Sequence, residues 1–174
     1  MTVDCPLDCP YLIEGRDHEA LVALGEYPHR TVEISDSFLE RNQPLYIFVL
    51  GTLHQSAKNL PGVIDADMRE ALAALVEKYR AQESGLVYEP AIPNRLAASV
   101  VESFEKHMNE FRDKVVKETV SPENFIDPNM FKIMVFLDRF AQIKNNGRPK
   151  GRHFISLLRQ MFPPMTVAAE PVAE

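Results

Sequence analysis

The sequence predicts an all-α protein: a single-domain helical bundle of about six to seven helices, with two very apolar central helices. Apolar residues recur at helical spacing along most of the chain. Several of these segments begin at a cap residue and end at glycine or proline. One short segment at 30–34 could be extended, but a lone strand has no partner, so we expect no sheet.

The composition is that of an ordinary globular protein, because 45% of the 174 residues are hydrophobic and 25% are charged. This length suits one domain with a sizeable core. We expect the domain to span residues 1–164, with a Cys-containing N-terminal loop at 1–14. Two prolines end the last helix, and residues 165–174 are expected to form a disordered tail.

The first third of the chain predicts short helices and one ambiguous segment. Residues 15–24 are expected to form a short helix that Gly25 closes, and Ser37 to Glu40 forms a capping-box pattern. Residues 46–50 have the composition of a buried strand. However, the apolar run continues without a turn to residue 58, and Pro44 suits the first helical turn. We therefore predict a buried apolar helix at 44–58.

Two amphipathic helices follow. In the first, Asp67 is the expected N-cap with Glu70 as its partner, and Gly85 ends the helix. Its apolar stripe consists of Leu72, Leu75, Val76 and Tyr79. The second should be capped by Asn94 and continue to about residue 119. Its stripe, which we expect to be buried, consists of Leu96, Val100, Phe104, Met108, Phe111 and Val115.

The last third predicts one very apolar helix and one short helix. Asp127 and Pro128 mark the start of the apolar helix, which is hydrophobic on nearly all sides and should be buried in the middle of the fold. The segment 145–147 should end it. The final helix is predicted at 151–162, with its inward face formed by Phe154, Ile155, Leu158 and Phe162.

The net charge of −6 argues against some partners and compartments. A mildly acidic chain has the wrong long-range field for nucleic acid or an anionic membrane, so both are unlikely partners. The N-terminus has no basic segment followed by an apolar one, and no apolar run is long enough to span a membrane. We therefore expect a cytoplasmic protein.

The two cysteines, Cys5 and Cys9, are the first candidate site. Each is followed by proline, and thiols at this spacing can ligate one metal ion or pair as a reversible disulfide. A zinc site needs four ligands, and His18 is the nearest histidine. The alternatives are a zinc site with Cys5, Cys9 and His18, a thiol-redox pair, or cysteines without a functional role.

A basic turn at 144–152 is the second candidate site. Lys144, Arg148, Lys150 and Arg152 lie near the expected start of the last helix. Arginine side chains and the amides of a helix N-terminus commonly bind anions together. The alternative is a solvated loop whose cations complement the dipole of the preceding helix.

The remaining polar residues on apolar helices have structural explanations. Asp138 interrupts the most apolar helix, and we expect it on a solvent-exposed edge or paired with an arginine such as Arg152 or Arg159. His54 and His107 are expected to be half-buried boundary residues.

No phosphate loop, zinc-protease motif, nucleophile elbow or di-iron motif occurs in the sequence. The chain is therefore expected to be a non-enzymatic binding protein, whose ligand is another protein or a second copy. The alternatives are a metal or redox role for the cysteines, with zinc as the expected cofactor, and an anion or nucleic-acid contact at the basic turn.

Overall fold

The computed structural model describes residue 25 and residues 27–118, 127–145, 148 and 150–163. Within these residues the chain forms six helices and no strand, which confirms the all-α prediction. The helices are α1 (Asp36–Arg41), α2 (Gln43–Lys58), α3 (Asp65–Glu83), α4 (Arg95–Glu118), α5 (Asp127–Ile143) and α6 (His153–Met161). The helix predicted at 15–24 and the tail predicted at 165–174 lie outside the described residues.

Helix α1 starts earlier than predicted because a different serine caps it. Ser35 has an extended backbone (φ −84°, ψ 157°), and its hydroxyl accepts the N–H of Phe38 at 3.2 Å. Ser37 lies inside the first turn and hydrogen-bonds the Ser35 hydroxyl at 3.0 Å. The prediction of Ser37 as the cap was therefore wrong by two residues.

Helix α3 also starts two residues before the predicted cap. Asp67 is the third helical residue, and its carboxylate accepts the N–H of Ile64 at 2.9 Å. It also accepts a hydrogen bond from the Asn94 amide at 2.7 Å. Asn94 caps α4 as predicted, because its carbonyl oxygen accepts the N–H of Leu96 at 2.9 Å. Asp67 and Asn94 thus fix the starts of two helices to each other.

The end of α3 is the Schellman motif that the glycine predicts. Gly85 has φ +73°, the left-handed region that costs glycine little. The N–H of Leu86 donates to the Ala81 carbonyl at 2.9 Å, and the N–H of Gly85 donates to the Gln82 carbonyl at 2.9 Å. These bonds satisfy carbonyls that would otherwise lack partners at the helix end.

The ambiguous segment is helical, as predicted. In α2 the hydroxyls of Thr52 and Ser56 donate to the carbonyls four residues earlier, both at 2.9 Å, so these buried polar groups are satisfied inside the helix. Before α1, residues 28–31 form turns, and residues 32–35, which include most of the segment that could be extended, belong to neither helix nor strand. Arg30 N–H donates to the Tyr27 carbonyl at 3.1 Å, and Val32 N–H donates to the His29 carbonyl at 3.0 Å.

Helix α3 packs against α4, α5 and α6, and its contact with α5 is the most extensive between the described helices. In helix α5, every residue from 129 to 142 is buried or half-buried. Helix α2 packs against α1, α4 and α6 but keeps an exposed edge at Ile47 and Gln55. The prediction that two apolar helices form the centre is therefore not confirmed. In the described part of the chain, no helix is long and apolar enough to cross a membrane.

Candidate binding cleft between α2 and α4

An open cleft of about 460 Å³ lies where α2 and α4 pack together. Helix α2 contributes residues that share one face over about two turns, and α4 contributes a similar stripe. Phe162, directly after α6, completes the wall. The cleft is lined by Ile47, Phe48, Gly51, Thr52, Gln55, His107, Glu110, Phe111, Lys114 and Phe162.

Two phenylalanines from different helices meet in the cleft. The rings of Phe48 and Phe111 have centroids 4.0 Å apart and planes tilted by 32°. Both side chains are half-buried, whereas Phe104, also on α4, is 0% exposed. The prediction that Phe111 would be buried like Phe104 was therefore wrong. Phe111 is half-buried and lines the cleft together with Phe48.

The ring of Phe162 is seated against the backbone of α2 at Gly51. A Cβ atom at Gly51 would lie 3.4 Å from Cε1 of Phe162, so the absence of a larger side chain lets the ring approach the helix. His54 also stacks on the Phe162 ring, with ring centroids 5.9 Å apart and planes 20° apart. A methyl group at position 51 would meet the Phe162 ring at an ordinary contact distance, whereas a longer side chain would displace the ring.

The polar groups of the cleft lie mainly on α4. Nδ1 of His107 lies 2.6 Å from the Ser103 carbonyl, which can only accept, so this nitrogen carries the proton in the neutral ring. Nε2 is then an acceptor. Glu110 and Lys114 are exposed, and the Thr52 hydroxyl already donates to the Phe48 carbonyl. Aromatic walls with a few polar groups suit an amphipathic ligand.

Two positively charged side chains, Lys58 and Arg159, lie near His54, which stacks on Phe162. Burial lowers the pKa of His54, and the nearby charges of Lys58 and Arg159 lower it further. Both cations are exposed. His54 is half-buried, as the sequence predicts. Phe162 therefore lies next to a neutral imidazole and two solvated cations.

A second group of polar side chains lies between the loop at 27–32 and helices α3 and α5; we call it the polar cluster. Asp138 is only 3% exposed, and burial raises the pKa of its carboxyl. Its neighbours include Gln142, whose amide lies 3.5 Å away, and the Tyr27 hydroxyl, which lies near the carboxylate without reaching hydrogen-bond geometry. Burial and then the Asp138 charge raise the pKa of Tyr27.

The prediction that Asp138 lies on a solvent-exposed edge was wrong, because the side chain is buried. The arginine close enough to act on its carboxyl is Arg69, whose charge partly offsets the rise in pKa, rather than Arg152 or Arg159. Arg139, the next residue, donates to the carbonyls of His29 and Val32.

The polar cluster holds the 27–32 loop against the bundle. The Arg139 guanidinium lies over the Tyr27 ring at 5.6 Å, in addition to its bonds to the loop backbone. His29 lies in the same loop, and its Nε2 is 2.8 Å from a carboxylate oxygen of Glu77 on α3. These contacts give the cluster a structural role.

The start of α6, where the basic turn was expected to bind an anion, already holds a carboxylate of the chain. The two oxygens of Asp65 accept the N–H groups of Phe154 and Ile155, each at 3.1 Å. Asp65 N–H also donates to the Gly151 carbonyl at 2.9 Å. Asp65 is 2% exposed, so this internal capping is shielded from solvent.

The four predicted anion-binding side chains are all exposed: Lys144, Arg148, Lys150 and Arg152. Lys144 also lies over the Phe140 ring, with Nζ 6.0 Å from the centroid. An anion at this turn would be held mainly by side chains, because Asp65 occupies the amides of the second and third helical residues, Phe154 and Ile155. The anion-binding hypothesis stays a prediction.

The predicted metal ligands Cys5, Cys9 and His18 lie outside the described residues. Within the described residues, no group of three or more His, Cys, Asp or Glu side chains could hold a metal ion. The zinc and thiol-redox hypotheses therefore stay predictions.

Sequence reasoning missed the cleft as a site, although its residues carry a signal. Gly51 interrupts an apolar helix, and a mid-helix glycine often marks a close approach of another group. Comparison with known proteins found no matching family, no similar curated protein and no similar solved structure.

Proposed function

We propose that this protein is a non-enzymatic binding protein whose α2–α4 cleft receives an amphipathic helix of a partner protein. The observation that carries the proposal is the open aromatic surface formed by Phe48, Phe111 and Phe162 between two helices. A helix that places apolar side chains into such a groove is a common mode of protein recognition.

The shape of the cleft favours a protein segment over a small molecule. Small-molecule sites usually enclose most of their ligand, whereas this cleft is open to solvent. Its two walls are helical stripes about two turns long, which match the spacing of anchors on a third helix. Each apolar anchor that becomes fully buried would stabilise the complex by about 1.5–3 kcal/mol before the cost of association.

An exposed apolar segment elsewhere provides a matched control. Val87, in the α3–α4 connection, is 97% exposed, and its neighbour Leu86 is 63% exposed. Both lie outside the cleft lining. Any apolar peptide that sticks to exposed hydrophobic surface would bind there as well.

The test uses a fluorescent peptide of about 14 residues, or roughly four helical turns, with leucines on one face. Its affinity is measured by anisotropy for the wild type, for Phe111→Ala and for Val87→Ala. We expect Phe111→Ala to weaken binding about tenfold, which is about 1.4 kcal/mol, because a central aromatic anchor is lost. Val87→Ala should bind like the wild type. Equal affinities for all three proteins would contradict the proposal.

The other occupant to be tested is a second copy of the chain. Sedimentation of the wild type and Phe111→Ala over a range of concentrations separates the cases. We expect both proteins to remain monomers. A concentration-dependent dimer that Phe111→Ala abolishes would show that the cleft receives a second copy instead of a different protein.

A further inference from the structure

We infer that the cleft selects an acidic helix: one that carries carboxylates beside the apolar face that enters the groove. This inference rests on the proposed function, since it specifies the partner of the same cleft. The inference rests on aromatic side chains that line the cleft and on cations that lie in or beside this lining.

The surplus of positive charge lies beside the cleft lining, although the chain as a whole has a net charge of −6. In the lining itself, the charge of Lys114 is balanced by that of Glu110. Lys58 and Arg159 lie beside His54, which stacks on the Phe162 wall. Glu110 is the one carboxylate among the residues that line the cleft.

A bound helix would bring its flanking side chains close to these cations. All three are exposed, so they keep their hydration until a partner arrives. Lys114 lines the cleft, whereas Lys58 and Arg159 lie beside the lining, near the His54 ring that contacts Phe162. Their aliphatic stems can extend along an apolar surface while the charged groups meet carboxylates. Rim charges of this kind contribute mainly to partner choice and association rate, and their effect falls as salt is added.

A basic helix would meet the same three cations as like charges. Discrimination therefore comes from attraction of one partner and repulsion of the other. Exposed ion pairs contribute little one at a time, so the expected preference comes from several pairs acting together. We expect about a tenfold preference for the acidic helix at low salt.

The test compares two fluorescent peptides with the same leucine face, one flanked by glutamates and the other by lysines. At low salt, the wild type should bind the glutamate peptide about tenfold more tightly. The double variant Lys58→Gln/Arg159→Gln should lose most of this preference. The matched control is Arg95→Gln, an exposed cation on α4 that neither lines the cleft nor acts on His54, so this variant should keep the preference.

The outcomes separate the two proposals. If both peptides bind equally, or the lysine peptide binds more tightly, and Phe111→Ala still weakens both, the selectivity is wrong while the cleft remains the binding site. If neither peptide binds, or Phe111→Ala binds as the wild type does, the proposed function fails and this inference fails with it. A preference that Lys58→Gln/Arg159→Gln leaves intact would also overturn the inference.

Discussion

The polar cluster and the cleft both combine aromatic rings with charged side chains, but they use these groups differently. In the polar cluster, Arg139 and Glu77 are bonded to the 27–32 loop, and Asp138 is enclosed. In the cleft, the rings of Phe48 and Phe111 contact each other and still face an open groove. The cluster holds the chain together, whereas the cleft leaves aromatic surface for a partner.

Each region therefore contains side chains in an unfavourable environment, but for different reasons. Burial of the Asp138 carboxylate costs free energy, and the surrounding contacts, which hold a loop against the bundle, offset this cost. Half-exposed phenylalanines also cost free energy, because apolar area stays in water. At the cleft, a bound apolar helix would remove that area from water.

The largest expected effect concerns two phenylalanines on α4. Phe104→Ala should lower the free energy of unfolding by about 3–5 kcal/mol, since its ring is fully buried. Phe111→Ala should cost only about 1–2 kcal/mol, because the ring is half-buried at the cleft. Urea unfolding of both variants measures the difference. Equal losses would mean that Phe111 belongs to the core and that the cleft has no accessible floor.

The next largest effect concerns Asp65, a buried carboxylate whose two oxygens both have partners. Asp65→Ala leaves the Phe154 and Ile155 amides without acceptors and should cost about 2–4 kcal/mol. Asp65→Asn keeps one acceptor oxygen and should cost about half as much. Thermal and urea unfolding measure both variants. A loss below about 0.5 kcal/mol for Asp65→Ala would contradict the capping role.

The pH dependence of stability distinguishes Asp138 from ordinary surface carboxylates. Burial raises the pKa of Asp138 above its ordinary value of 3.8, so the folded state binds this proton more tightly than the unfolded state. As the pH falls from neutral through the raised pKa, the wild type should therefore gain stability relative to Asp138→Asn. The gain should stop near 3.8, below which both states are protonated.

The stability of the wild type must be compared with that of Asp138→Asn, because Glu77 changes the stability in the opposite direction as the pH falls. Burial raises the pKa of Glu77, but hydrogen bonds from Arg80 and His29 outweigh it, so the net pKa is lowered. The stability that Glu77 contributes is lost as the pH falls through this lowered pKa. Subtracting the stability of Asp138→Asn removes this contribution. A difference that stays constant from neutral pH to about pH 4 would contradict the burial of an ionised Asp138.

The smallest expected effect is at Gly51. The Cβ atom of Gly51→Ala would meet Phe162 at 3.4 Å, an ordinary contact distance, and alanine favours the helix. This variant should therefore gain about 0.5–1 kcal/mol in urea unfolding. Gly51→Leu should instead push Phe162 aside and weaken peptide binding. A clear loss of stability in Gly51→Ala would mean that the Phe162 ring cannot shift to accommodate a methyl group, which would contradict this prediction.

The helices could be predicted from the sequence because their signals are local. Gly85 takes the left-handed conformation and Asn94 caps α4 as the sequence predicts, since both act within a few residues. The start of α3 was misplaced because an aspartate suits both the N-cap and the third helical position, and only the Ile64 and Asn94 contacts distinguish them.

The two regions could not be predicted because they depend on contacts distant in the sequence. Nothing near Asp138 indicates that the loop containing Tyr27 covers α5. Phe111 and Phe162 carry the apolar pattern of core residues, and an apolar stripe does not distinguish a filled interface from an open one.

Chemical-shift mapping of the glutamate-flanked peptide on isotope-labelled protein would show where on the surface a helix binds. We expect the largest changes at residues 47–55 and 107–114 and at Phe162, with the polar cluster unchanged. Largest changes at Leu86 to Ile92, at the basic turn or around Asp138 would contradict this expectation, because binding would then occur away from the cleft.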